Sequence, residues 1–149
     1  VYLRIGKSGE ASLTDIFDEG PYWGLGEMRW WSCPPVPTAD LVLVSYGPIM
    51  SEVLNAADIL EMGGRDVDVA CCSTLTEFSE ADLLSLSGKR VVVVEEASGF
   101  PLAGALREVL KDSVESLCLP RNFPHTYGTR RELLERAGLT AEKIVAALS

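Results

Sequence analysis

Four consecutive valines, Val91 to Val94, run into two carboxylates, Glu95 and Glu96, and then into a turn of Ser98, Gly99, Phe100 and Pro101. No other stretch constrains the chain as much. β-Branched residues in an unbroken run, without apolar–polar alternation, fit a strand covered on both faces, as in a parallel sheet held between helices. A helical pattern starts directly after the turn, with Leu102, Ala105, Leu106, Val109 and Leu110 on one side. Sheets of this kind carry their working groups just past the carboxyl ends of their strands. The segment from Glu95 to Phe100 is therefore the first place to look for function.

From Asp40 onward the same alternation repeats. Leu41 to Val44 reads as a buried strand ending at Ser45-Tyr46-Gly47, and Pro48 fits the first turn of a helix with Ile49, Val53, Ala56, Ala57 and Leu60 at helical spacing. Gly63 and Gly64 stop that helix. Val67, Val69 and Cys71 give a shorter, more alternating strand, suited to a place nearer the sheet edge. Ser79 with Asp82 and Thr129 with Glu132 form capping boxes, the first for a helix over Leu83, Leu84 and Leu86, the second over Leu133, Leu134 and Ala137 up to Gly138. Between those helices, Val114, Leu117 and Leu119 form a further strand closed by Pro120, and Thr140 opens a last helix with Ile144, Val145 and Leu148 on one side.

Four strand–helix alternations predict a three-layer α/β fold with right-handed crossovers. The stretch from Gly24 to Ser32 is a candidate fifth strand. It has no crossover helix before Asp40, which permits an antiparallel edge. Residues 1–39 are otherwise irregular, with Tyr22, Trp23, Trp30 and Trp31 followed by the stiff Pro34-Pro35-Val36-Pro37 connector.

Charge and cysteine usage exclude several classes of function. A formal charge of −9 and a pI near 4.6 argue against nucleic acid or an anionic membrane surface as partner. Arg121, Arg130 and Arg131 read as exposed cations at a helix start. No apolar stretch approaches the ~20 residues that span a bilayer. Cys33, Cys71, Cys72 and Cys118 lack CxxC spacing and share the chain with one histidine, so no zinc pattern exists and no metal ligands are assigned. A reducing, cytoplasmic location is expected. The chain opens on Val1 in a strand-like Val1 to Ile5 and shows no secretory leader, which reads as a cropped or processed polypeptide.

The strand ends lack the motifs that usually carry α/β chemistry. Ser45-Tyr46-Gly47-Pro48 offers one glycine where a dinucleotide turn needs three, and neither a GxxxxGK[ST] loop nor a GxSxG elbow occurs. His125, within Phe123 to Gly128, fits either a donor to a phosphate or a loop residue bonded to backbone. Glu95 and Glu96 point to opposite faces, which argues against an acid/base pair on one substrate. Either they act at a functional surface, or one of them faces the following helix N-terminus, where the macrodipole favours negative charge. No catalytic residue is assigned.

Taken in order, the pieces resemble the C-terminal domain of transketolase-like thiamine-diphosphate enzymes, a group that includes transketolase, deoxyxylulose-phosphate synthase and the β subunits of 2-oxo acid dehydrogenases. Val1 to Lys7 resembles the last strand of the preceding pyrimidine-binding domain, and Asp40 to Gly47 is similar to the family's opening strand. Val92 to Glu96 with Gly99 and Gly104 matches its most recognisable signature. Phe123 to Gly128, Glu132 to Leu134 and Gly138 to Val145 match its closing segment.

The resemblance implies a three-layer α/β/α domain with a five-stranded mixed sheet, four strands parallel and one antiparallel, over residues 24–149, with residues 1–23 as the tail of the pyrimidine-binding domain and linker. It further implies that thiamine diphosphate and Mg lie between the other two domains of the parent enzyme. Neither the activating glutamate nor a GDG-type metal motif is present here. The chain by itself is thus expected to hold no cofactor and to be inactive, supplying interdomain and dimer contacts through Trp30, Trp31, Glu95 and Glu96. Its expected partners are the remaining thiamine-binding domains or subunit, a second copy in a homodimeric parent, and a sugar phosphate held by Arg4 or Lys7, with His125 as a further phosphate donor. The alternative is an independent module that takes a small anion at Ser98, Gly99 and the adjoining helix N-terminus.

Overall fold

The computed structural model describes residues 24–31, 38–110, 114–122 and 127–149. Arg4, Lys7, Cys33 and His125 lie outside them. Met28–Trp31 forms β1 and Leu41–Ser45 β2; a 3-10 turn over Gly47–Ile49, with Pro48 in its first turn, leads into α1, Met50–Met62. Asp68–Cys72 is β3, Glu80–Leu86 α2, Arg90–Glu95 β4 and Pro101–Leu110 α3. Val114–Cys118 is β5, Arg130–Ala137 α4 and Ala141–Leu148 α5.

The strands make one five-stranded sheet in the order β1-β3-β2-β4-β5. β1 runs antiparallel on β3, and every other pairing is parallel. The valine run of β4 lacks alternation because both of its faces are covered. Val92 and Val94, with Leu41, Leu43, Val69 and Cys71 of the neighbouring strands, pack against α1, α4 and α5 through Val53, Leu60, Leu134, Ile144 and Leu148. Val91 and Val93, with Val42, Val44, Ala70 and Cys72, pack against α2 and α3 through Leu86, Leu102, Ala103 and Leu106. Each such fully buried aliphatic side chain is worth roughly 1.5–3 kcal/mol over leaving it in water.

Local signals set the helix ends. Thr129 and Glu132 form a reciprocal capping box on α4, with the Thr129 N–H donating to Glu132 Oε2 at 2.8 Å and the Glu132 N–H to Thr129 Oγ1 at 3.3 Å. Gly138 stops that helix at φ 74°, a left-handed conformation that glycine adopts without steric cost. Thr140 makes no side-chain cap for α5; Glu52 of α1 instead accepts the Ala141 N–H at 2.9 Å. At the other end of α5, Arg65 Nη1 donates to the Leu148 carbonyl at 2.8 Å. An anion at the amino end and a cation at the carboxyl end both complement the helix dipole.

Three local expectations change. β3 is uniformly buried rather than alternating, and it is the second strand of the sheet because β1 covers its outer side. Its Asp68 is buried at 4% exposure and accepts the Ala39 N–H at 2.8 Å, with Lys89 Nζ 3.9 Å away. The Ser79–Asp82 box is half formed: Ser79 Oγ accepts the Asp82 N–H at 3.1 Å, while the Asp82 carboxylate turns to β1. In α2 only Leu86 is fully buried, and Leu84 faces solvent.

At the far edge, Arg90 grips Glu115 of β5 with Nε and Nη2 at 2.7 and 3.0 Å. That bond holds the Glu115 carboxyl below its ordinary range. A folded-state pKa below the unfolded one means that the stabilisation is present above the unfolded value and is lost as pH falls through the folded one. Both partners are more than a third exposed, so water screens the pair to less than ~1 kcal/mol. The stability difference between the natural chain and Glu115→Gln should therefore be small at neutral pH and vanish as pH falls through the acid carboxylate range, as read from urea midpoints. Leu43→Ala, at the centre of the sheet, should cost about 2–5 kcal/mol by the same measurement. Glu52→Ala should cost about 1 kcal/mol and loosen α5 first, seen as faster amide exchange confined to residues 141–148.

Candidate functional site at the carboxyl edge of the sheet

The chain leaves β2 toward β3 through α1 on one face, and leaves β4 toward β5 through α3 on the other. The carboxyl ends of β2 and β4 therefore flank the topological switch point, where open α/β sheets place their ligand crevice. Ser45 and Tyr46 stand on one side of it and Glu95 and Glu96 on the other.

Protein groups occupy the crevice. Glu95 is fully buried, and its carboxylate accepts the Leu102 N–H at 3.1 Å and the Ala103 N–H at 3.4 Å. The Tyr46 hydroxyl donates to the same carboxylate at 3.4 Å, and Ser45 Oγ donates to the Val94 carbonyl at 2.6 Å. Pro101 opens α3 and has no N–H to offer. The first amides that could meet an anion are thus already on an internal carboxylate. Glu96 turns the other way and pairs with Arg130 Nη2 of α4 at 2.6 Å. The opposite orientation of the two carboxylates follows from strand geometry; their partners are a helix N-terminus for one and a guanidinium for the other.

The Ser98–Gly99 turn is exposed and tightly shaped. Gly99 has φ 102° and Phe100 φ 61°, the latter a positive value that costs a bulky residue of order 1–3 kcal/mol. The ring of Phe100 is held by two cations, with the Arg107 and Arg121 guanidinium carbons 5.6 and 5.3 Å from its centroid. Arg107 is itself fixed by the Val114 carbonyl at 3.1 Å and Ser116 Oγ at 3.0 Å. Tyr46 had a sequence signal, since it closes a buried run just before a glycine. The Arg130–Glu96 and Arg107–Phe100 contacts had none.

Trp30 and Trp31 do not form the exposed patch that an aromatic pair implies. Both are half-buried; Trp30 packs with the α2–α3 layer and Trp31 with the α1–α5 layer. They meet only at the sheet margin, where both line a groove of about 750 Å³ together with Leu54, Ala57, Asp66 and Val69. The thiols of the described residues are poor nucleophiles. Burial pushes Cys71 up to about 11, drives Cys72 higher still, and raises Cys118, beside Glu95.

The two carboxylates should separate cleanly under mutation. Glu95→Gln, which weakens a buried charged acceptor of backbone amides, is expected to cost about 1.5–3 kcal/mol in urea unfolding. Glu96→Ala, which breaks a half-exposed pair, should cost less than ~1 kcal/mol.

Comparison with known proteins agrees with this architecture. Residues 35–144 match the family described as transketolase, C-terminal domain. A 1-deoxy-D-xylulose-5-phosphate synthase 1 from Kitasatospora griseola is 31% identical over 118 residues, covering 74% of this chain and 18% of the relative. A split-gene transketolase, solved as an inactive β4 tetramer, superposes with a TM-score of 0.72 at 27% identity over 89% of this chain and 44% of that one. The transketolase of Campylobacter jejuni shares the fold, with a TM-score of 0.63 at 19% identity over 87% of this chain and 20% of that one. The chain spans less than a fifth of the curated relative and under half of the split-gene subunit. With a match across most of its length and a five-stranded sheet of four parallel strands and one antiparallel, as implied, the chain belongs to the transketolase C-terminal domain family.

Proposed function

We propose that residues 24–149 serve as the C-terminal domain of a transketolase-like, thiamine-diphosphate-dependent transferase in the cytoplasm, with residues 1–23 as the tail of the preceding domain and linker. In this reading the domain supplies interdomain and dimer contacts while the chemistry is carried out by the thiamine-binding domains or subunit. The observation that carries the reading is the family match over residues 35–144. The relative from Kitasatospora acts, by its name, in the chemistry of a sugar phosphate, which supports a substrate of that class for the parent enzyme. The split-gene transketolase, inactive as a β4 tetramer, supports a division of labour between chains.

The site geometry points the same way. Glu95 and Glu96 are committed to α3 and Arg130, and among the described residues no three of His, Cys, Asp and Glu converge as a bound cation would require. The groove beneath Trp30 and Trp31 and the exposed edge around Glu96 are the surfaces offered to the rest of the enzyme. Arg4 or Lys7, with His125, remains the proposed phosphate contact. No helix among the described residues is long and apolar enough to cross a membrane.

The anion-module reading is weaker, because the Leu102 and Ala103 amides it needs are taken by Glu95. The test is reconstitution. The purified chain alone should show no transfer of a two-carbon unit between sugar phosphates. Mixed with the polypeptide that carries its missing thiamine-binding domains, it should form a stable complex on size exclusion and restore turnover. Turnover by the chain alone, or failure to associate with that polypeptide, would contradict the proposal.

A further inference from the structure

β1 is the shorter of the two edge strands. It is four residues long and pairs with β3 alone. A further hold on its backbone comes from one side chain of α2. Asp82, buried at 9% exposure, accepts the Met28 N–H at 2.9 Å and the Ser79 hydroxyl at 2.6 Å on Oδ2, and the Trp30 indole N–H at 2.7 Å on Oδ1. The turn before β1 is tied to the same region: the Ser79 N–H donates to the Gly26 carbonyl at 2.9 Å, and Ser73 Oγ to the Glu27 carbonyl at 3.1 Å. A buried carboxylate with three donors makes charge-assisted bonds, stronger than the ladder bonds of a short edge strand.

Beside β1 lies a thiol. Met28 is the cross-strand neighbour of Cys72, and both belong to the layer packed against α2 and α3. Cys72 is 6% exposed, and its burial, with the charge of Asp82 nearby, keeps it protonated. β2 and β4, by contrast, are paired on both sides and covered on both faces. Segments with one neighbour open at lower free energy than a doubly paired core.

We propose that β1 is a strap that opens as a unit, that Asp82 is its latch, and that opening the strap is what brings Cys72 to solvent. The proposal does not depend on the functional reading above. It makes β1 less firmly held than the doubly paired strands β2 and β4.

The test is peptide-resolved amide exchange and iodoacetamide alkylation of the full chain, both read by mass spectrometry. In Asp82→Asn, exchange of residues 28–31 should rise about 10–100-fold while β2 and β4 stay unchanged, because charged hydrogen bonds are lost from β1 and from Ser79 at the start of α2 but from neither central strand. Alkylation of Cys72 should rise in parallel. Trp30→Phe leaves the Asp82 charge beside the thiol and removes one donor, so it separates strap opening from altered thiol electrostatics; a rise of about 3–10-fold in both readouts is expected. Should Asp82→Asn fail to fold, Trp30→Phe decides alone. Unchanged rates in β1, or β1 and β4 accelerating together as in global unfolding, would overturn the proposal.

Discussion

The buried carboxylate of Glu95 is the interaction on which the rest of the functional edge depends. It sits at the end of the central valine strand with no exposed surface, and a charge in such a place persists only if donors surround it. The donors are the Leu102 and Ala103 amides at the start of α3 and the Tyr46 hydroxyl at the end of β2. One side chain thus joins both strands of the switch point to the helix that follows. The crevice where many α/β proteins receive a ligand is here a structural joint.

This joint explains how a chain with the architecture of an enzyme domain lacks its own reactive constellation among the described residues. The groups at the carboxyl edge serve one another: Ser45 the β4 backbone, Glu95 α3, Glu96 Arg130, and Arg107 both β5 and Phe100. What remains exposed is shape and surface charge, which suits a domain that acts against a neighbour. The family match spans most of this chain, which covers a small part of its curated relative.

Much of the fold was legible because its causes are local. Uninterrupted valines require two covered faces, Thr129 and Glu132 carry their cap within four residues, and Gly138 marks a left-handed stop. That one strand runs antiparallel was implied by the family resemblance, while the short connection before Asp40 only permits it at β1. Misreadings arose where a distant partner decides. Asp82 reads as a helix cap, yet its carboxylate serves β1, more than fifty residues earlier in sequence. Glu52 caps α5 from α1, and no spacing rule connects residues 52 and 141. Strand alternation sends the two tryptophans, adjacent in sequence, to opposite layers. Of the site residues, Glu95 was legible as a candidate for the helix N-terminus, whereas the ion pair of Glu96 was not.

A carboxyl edge closed by its own side chains can be checked by amide chemical-shift titration of the isolated chain with inorganic phosphate and with sugar phosphates. No saturable shift is expected at Ser98, Gly99, Leu102 or Ala103, because Glu95 already holds the α3 amides. Saturable shifts centred on those four residues would contradict it.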